Sequence, residues 1–144
     1  MKESILFDVK ILDTKIKNSI NEVIKKLDGS LTPLKVRVLH YIDENECTTQ
    51  KDLESIIVIP KSTLSEALTD LEKNKLIIRE NKNNNSKNNY INLTNVGKKL
   101  CCMIKDNIDK LESDITKGVS KKEIDEFKNI INKLINNLEE GYND

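Results

Sequence analysis

"LIIRENKNNNSKNNYINLT", residues Leu76–Thr94, decides how this chain is read. A short apolar run at Leu76–Ile78 and an alternating run at Tyr90–Leu93 enclose a segment in which every residue from Asn81 to Asn89 is Asn, Lys or Ser. The flanks read as two strands, Leu76–Glu80 and Tyr90–Leu93, and the polar run as the tip of a hairpin. Lys82 and Lys87, with Asn84, Asn85 and Asn88 between and beside them, make that tip basic and rich in hydrogen-bonding amides. Such a tip suits a hairpin that lies against a nucleic-acid backbone.

Upstream, Lys61–Asn74 has Leu64, Ala67, Leu68 and Leu71 on one helical face and Ser62, Ser65, Glu66, Thr69 and Lys73 on the other. Pro60 separates it from a shorter helix that starts at Thr49, where Thr49-Gln50-Lys51-Asp52 resembles a capping box and Leu53, Ile56 and Ile57 are expected to point inward. Before that, Thr32-Pro33 opens a helix with Thr as N-cap and Pro in the first turn. Leu34, Val38, Leu39 and Ile42 line it, and it runs out near Asn45. Ser4–Leu27 carries a near-heptad stripe of Ile5, Val9, Leu12, Ile16, Ile20, Val23 and Leu27, ended by Asp28-Gly29-Ser30.

Downstream, Thr94 caps a long helix with Val96, Leu100, Met103, Ile104, Ile108, Leu111 and Ile115 expected inward. Gly118 breaks it, and Ser120-Lys121-Lys122-Glu123 is a capping box that starts a last helix carrying Ile124, Phe127, Ile131, Leu134 and Leu138. The fold class expected is mainly α with a small β-hairpin wing: a winged helix-turn-helix flanked by long N- and C-terminal helices. The division is 1–30 as an N-terminal dimerisation helix, 31–97 as a DNA-binding lobe and 98–144 as C-terminal dimerisation helices. The outer stripes are too long for the small central core, and a second copy of the chain is the natural cover.

The 144 residues hold 24 basic and 24 acidic side chains, a formal net charge of zero. The distribution is uneven. Pro60–Lys99 holds eight basic and four acidic residues, a local excess of +4. No signal peptide and no apolar run of the ~20 residues that span a membrane is seen, so a cytoplasmic protein with no membrane partner is expected. Cys47, Cys101 and Cys102 have no disulfide spacing. One histidine and no pair of ligands at usable spacing leave no metal site. No phosphate-binding glycine loop, nucleophile elbow or His–carboxylate set is present, so no catalytic residue, cofactor or enzymatic activity is expected.

In this order the segments resemble the MarR (multiple-antibiotic-resistance regulator) family of transcriptional regulators. Leu31-Thr32 opens the second helix, Thr49-Gln50-x-x-Leu53 the third, and Ser62-Thr63-Leu64-Ser65 the fourth, which ends on Leu71-Glu72-Lys73. Leu93-Thr94-x-x-Gly97 follows the wing. Four positions depart from the family pattern. Asn85-Ser86-Lys87 stands where the wing has Asp-x-Arg, and Lys lacks the planar fork of Arg. Lys75 stands where Gly follows the recognition helix, so Asn74 is expected to take the left-handed conformation. Glu66 stands where relatives have a basic residue.

The resemblance implies a dimeric, sequence-specific DNA-binding regulator, in the sense of a repressor. The recognition helix 61–74 would enter the major groove and the wing 80–90 would lie against the minor groove or backbone. The implied contact set is Thr49, Gln50, Lys61, Ser62, Thr63, Ser65, Thr69, Arg79, Lys82, Asn85 and Lys87. The implied partner is a pseudo-palindromic duplex. A small-molecule effector would sit near Arg37, His40 and Tyr41 on the second helix. The alternative is a winged helix used for protein–protein contact without specific DNA binding.

Overall fold

The computed structural model describes residues 3–46, 48–81 and 89–142, the side chains of Asn81 and Tyr142 excepted. The wing-tip positions Lys82, Asn85 and Lys87, with Asn84, Ser86 and Asn88, and also Cys47, lie outside the described residues. The elements follow the order α1 (Ile5–Leu27), α2 (Pro33–Glu44), β1 (Thr48–Thr49), α3 (Gln50–Ile56), α4 (Lys61–Lys73), β2 (Ile77–Asn81), β3 (Asn89–Leu93), α5 (Asn95–Ile115) and α6 (Lys121–Tyr142). They form two compact units, Met1–Leu111 and Glu112–Asp144. The expected fold class, helices around a small β wing, is the one observed.

The first unit is held by one apolar core. Val38, Leu39 and Ile42 of α2, Leu53 of α3, and Leu64, Leu68 and Leu71 of α4 pack with Ile77, Ile91, Leu100 and Ile104 from the wing strands and α5. Each fully buried aliphatic side chain contributes about 1.5–3 kcal/mol. From α1 the core takes Ile24, which the heptad reading did not single out, with Ile20 and Leu27 half-buried beside it. Further up the stripe Ile5, Val9 and Leu12 are exposed. Four residues expected inward on α3 and α5 are not: Ile56, Val96, Met103 and Ile115 are each about half exposed, at 50%, 59%, 49% and 45%. A helical apolar stripe is broad, and these residues lie on its margins.

The helix starts follow the caps. The Thr32 hydroxyl accepts from the Lys35 amide (3.2 Å). Thr49 and Asp52 exchange both bonds of a capping box (2.9 and 3.1 Å). The sheet has three strands, in the order β1-β3-β2, rather than the two expected: Thr48 pairs with Ile91 and Thr49 with Tyr90. Across the wing Ile77 pairs with Leu93, Arg79 with Ile91 and Asn81 with Asn89. Alternation then puts Ile77, Arg79, Ile91 and Leu93 on the core side, and Ile78 and Glu80 on the other.

At the end of α4 the left-handed residue is Lys75 (φ +61°) and not Asn74 (φ −82°). The helix closes one residue earlier than expected, at Lys73. The Leu76 amide donates to the Leu71 carbonyl (3.0 Å) and the Lys75 amide to that of Glu72 (2.9 Å). These two bonds require positive φ at the residue after the C-cap, here Lys75.

The Leu-Thr-x-x-Gly motif fastens that same turn. The Thr94 hydroxyl donates to the Lys75 carbonyl (2.6 Å) and accepts from the Gly97 amide (3.0 Å), and the Thr94 amide donates to the Leu76 carbonyl (3.0 Å). A Cβ at Gly97 would overlap the Leu76 carbonyl oxygen, so only glycine lets α5 approach this closely.

In the second unit, Gly118 takes φ +81° after the end of α5. Ser120 and Glu123 form the expected capping box: the Ser120 amide donates to Glu123 Oε1 (3.0 Å) and the Glu123 amide to Ser120 Oγ (3.1 Å). Hydrogen bonding by the Ser120 backbone and side chain holds the Glu123 carboxyl below its usual range. Among the described side chains of α6 none is buried. Ile124 and Ile131 are half-buried, whereas Phe127, Leu134 and Leu138 are exposed.

Candidate nucleic-acid interface

The helix-turn-helix is α3, the turn Ile57–Pro60, and α4. Pro60 precedes α4 without offering a side-chain cap, so the helix begins on an open first turn of Lys61, Ser62 and Thr63, all exposed. An uncapped helix start presents backbone N–H groups and the positive end of the helix dipole. Thr69 is exposed two turns further on, and Ser65 is half-buried between. Glu66, also exposed, places one negative charge in this row.

Several of the polar side chains expected at DNA hold one another. The Gln50 amide donates from Nε2 to Ser65 Oγ (3.0 Å), tying α3 to α4. Thr69 Oγ1 donates to the Ser65 carbonyl (2.9 Å) and accepts from Arg79 Nη2 (3.3 Å). Arg79 Nε lies 3.5 Å from the Glu72 carboxylate, shielded from solvent and without hydrogen-bond geometry to it. Thr49 is occupied by its capping box. On the opposite edge of α4, Lys35 of α2 reaches the Ser30 carbonyl (3.0 Å) and the Asp70 carboxylate (3.5 Å). Glu72 and Lys35 escaped the sequence reading, because charged residues on a polar helix face do not reveal their cross-element partners.

The structure thus brings Gln50, Ser65, Thr69 and Arg79 together, with Lys61, Ser62 and Thr63 free at the helix start. The basic wing-tip residues Lys82, Asn85 and Lys87 lie outside the described residues.

Of the three positions expected near an effector, His40 lines a groove of about 340 Å³ between α2 and α5. Arg37 is exposed but does not line it, and Tyr41 packs against the core. Leu39, Cys101 and Ile104 supply apolar wall, and Asp43 and Lys105 are among the charged residues around it. Cys101 is buried with Sγ 3.9 Å from the Leu39 carbonyl, and burial, reinforced by Asp43 and Cys102, pushes its thiol up to about 11. A thiol so protonated is a poor nucleophile at neutral pH. Cys102, on the next face of the helix, is exposed rather than a buried small hydrophobe. Among the described residues no cluster of His, Cys, Asp or Glu could hold a metal ion. Nor is any helix there long and apolar enough to cross a membrane.

An exposed, polar second helix, a short strand before the first, and an antiparallel wing after the second define a winged helix-turn-helix. Residues 30–84 match the model of the MarR family. Over that segment, the winged-helix core, the chain is similar to the MarR family. The resemblance read from its motifs holds over that segment.

Solved structures extend the likeness of fold over nearly the whole chain. MepR, a transcription regulator of the Staphylococcus aureus multidrug efflux pump MepA, is 22% identical over 94% of this chain and 98% of its own, with a TM-score of 0.79. A point mutant of S. aureus MepR bound to an oligodeoxyribonucleotide is 23% identical over 94% and 98% of the two chains, with a TM-score of 0.67. S. aureus MarR in complex with salicylate and kanamycin is 21% identical over 92% of this chain and 87% of its own, with a TM-score of 0.76.

Proposed function

We propose that the chain is a homodimeric, sequence-specific DNA-binding regulator of transcription, acting as a repressor in the cytoplasm. In this reading α4 enters the major groove of a pseudo-palindromic duplex and the β2–β3 wing lies against the minor groove or backbone. The observation that carries it is the outward surface of α4. Lys61, Ser62, Thr63 and Thr69 are exposed there, and no large apolar residue of this helix is. Side chains of this kind contact phosphates and base edges. The oligonucleotide-bound MepR mutant, alike in fold, supports DNA as the partner. Segments 1–30 and 98–144 supply the dimer contacts and 31–97 the DNA-binding lobe. The exposed stripes of α1 and α6 support that division.

The groove between α2 and α5 is the place for a small-molecule effector with an apolar body, bordered by His40 and Lys105. The salicylate and kanamycin complex of S. aureus MarR supports small-molecule binding by this fold. A second reading, a winged helix that docks a protein partner, draws on the turn before α4, where Val58 is 93% and Ile56 50% exposed.

The deciding experiment is binding to the duplex upstream of the chain's own gene, against random duplex, at two salt concentrations. Specific binding that weakens steeply with salt is expected. Failure to bind either duplex at low salt would favour the protein-docking reading.

A further inference from the structure

Arg79 sits at the base of the wing, where a cation near DNA would ordinarily be assigned to a phosphate. Its register argues otherwise. Arg79 pairs with Ile91, which is buried, so both side chains leave the sheet on its core side. There the side chain is only 23% exposed, and its guanidinium donates to Thr69 Oγ1 and faces the Glu72 carboxylate. Both partners belong to α4. The side chain therefore spans from the wing to the recognition helix, and its Nε is already withdrawn from solvent.

This grip fixes what the helix can say to a base. A hydroxyl has one proton to donate and two lone pairs to accept with. Thr69 spends its proton on the Ser65 carbonyl and one lone pair on Arg79, so a single acceptor position remains. Ser65, one turn earlier, is the reverse. Its oxygen already accepts from Gln50, and its proton is uncommitted.

We propose that Arg79 is a positioning residue rather than a DNA contact, and that through it the recognition helix presents two hydroxyls of opposite polarity, Ser65 as donor and Thr69 as acceptor. The inference rests on the DNA-binding reading given above. Thr69 then suits the amino groups of adenine N6 or cytosine N4. Ser65 suits guanine O6 or N7, thymine O4 or a phosphate oxygen.

The test is selection of the full chain on a randomised duplex pool, followed by salt titration on the enriched duplex. Arg79→Gln is expected to leave the slope of log K against log salt unchanged. It should relax the preference for an amino-bearing base at one position by about five- to tenfold, the size of one lost hydrogen bond. Thr69→Val should relax the same position, Thr69→Ser should retain it, and the double variant should be no worse than either single, the sign of action through one another. Arg79→Lys is expected to fold and keep the charge, yet to lose the two-pronged hold on Thr69 and Glu72 and relax the same position.

A slope that falls by about one in Arg79→Gln would make Arg79 a phosphate contact and overturn the proposal alone. So would an Arg79→Lys variant with undiminished preference. A wild-type chain that enriches no duplex would instead overturn the DNA-binding reading, and this proposal with it.

Discussion

The winged lobe and the last helix use the same residue types to opposite ends. In the lobe, Leu39, Leu53 and Leu68 are fully buried and every strand has its partner. On α6, leucines and isoleucines recur at helical spacing, yet none of the described side chains is buried and Leu138 is 64% exposed. One region has closed its core within a single chain. The other presents a stripe of apolar surface larger than isolated exposed side chains account for. Helical periodicity therefore tells which face of a helix will be covered, not whether its own chain supplies the cover.

The sharpest break of this contrast is truncation within the lobe. Leu68→Ala should destabilise by about 3–4 kcal/mol, the range for a fully enclosed leucine, read as a lowered urea midpoint with unchanged slope. Gly97→Ala should cost about 2–3 kcal/mol through overlap with the Leu76 carbonyl, with the loss visible in the same titration. Lys75→Gly should act in the other direction, stabilising by about 1 kcal/mol because glycine holds positive φ without a Cβ penalty. On α6, Leu138→Ala should cost under about 1 kcal/mol at high dilution, but should weaken the rise of melting temperature with protein concentration. A melting temperature independent of concentration in the wild type would remove the need for a second copy.

The smallest effect is one of pH. The Cys101 thiol is raised in the folded chain from an ordinary 9.0 to about 11. The unfolded chain therefore loses this proton first. The contribution of the neutral thiol is fully present below pH 9 and declines as pH rises from 9 towards 11. Cys101→Ser should flatten that part of the stability profile, measured by urea titration at successive pH values.

Much of this architecture was legible in the chain. Thr32-Pro33, Thr49 with Asp52, Thr94 and Ser120 with Glu123 mark helix starts by local chemistry that needs no tertiary partner, and the helices begin there. Features set by distant partners were not legible. β1 is two residues long, too short for any period, and exists because Ile91 and Tyr90 lie beside it. The left-handed position moved from Asn74 to Lys75 because α4 ends at Lys73, a boundary that composition cannot fix to one residue. Arg79 could be placed near the wing from its neighbours, but its side of the sheet depends on register with a strand that follows a long polar run. The candidate contacts divide in the same way. Lys61, Ser62 and Thr63 could be read from their place at a helix start, whereas the Gln50–Ser65 and Thr69–Arg79 pairs join elements 15 and 10 residues apart in sequence.

The joint at Thr94 has a mechanical consequence. Its hydroxyl and amide hold the carbonyls of Lys75 and Leu76 in the turn that closes α4, and Gly97 brings the first turn of α5 against the Leu76 carbonyl. The recognition helix and the long helix thus meet at a pivot only a few atoms thick, with no slack loop to absorb displacement. A twist of α5 about its own axis would load the residues that close α4, so the two helices are expected to turn as one crank.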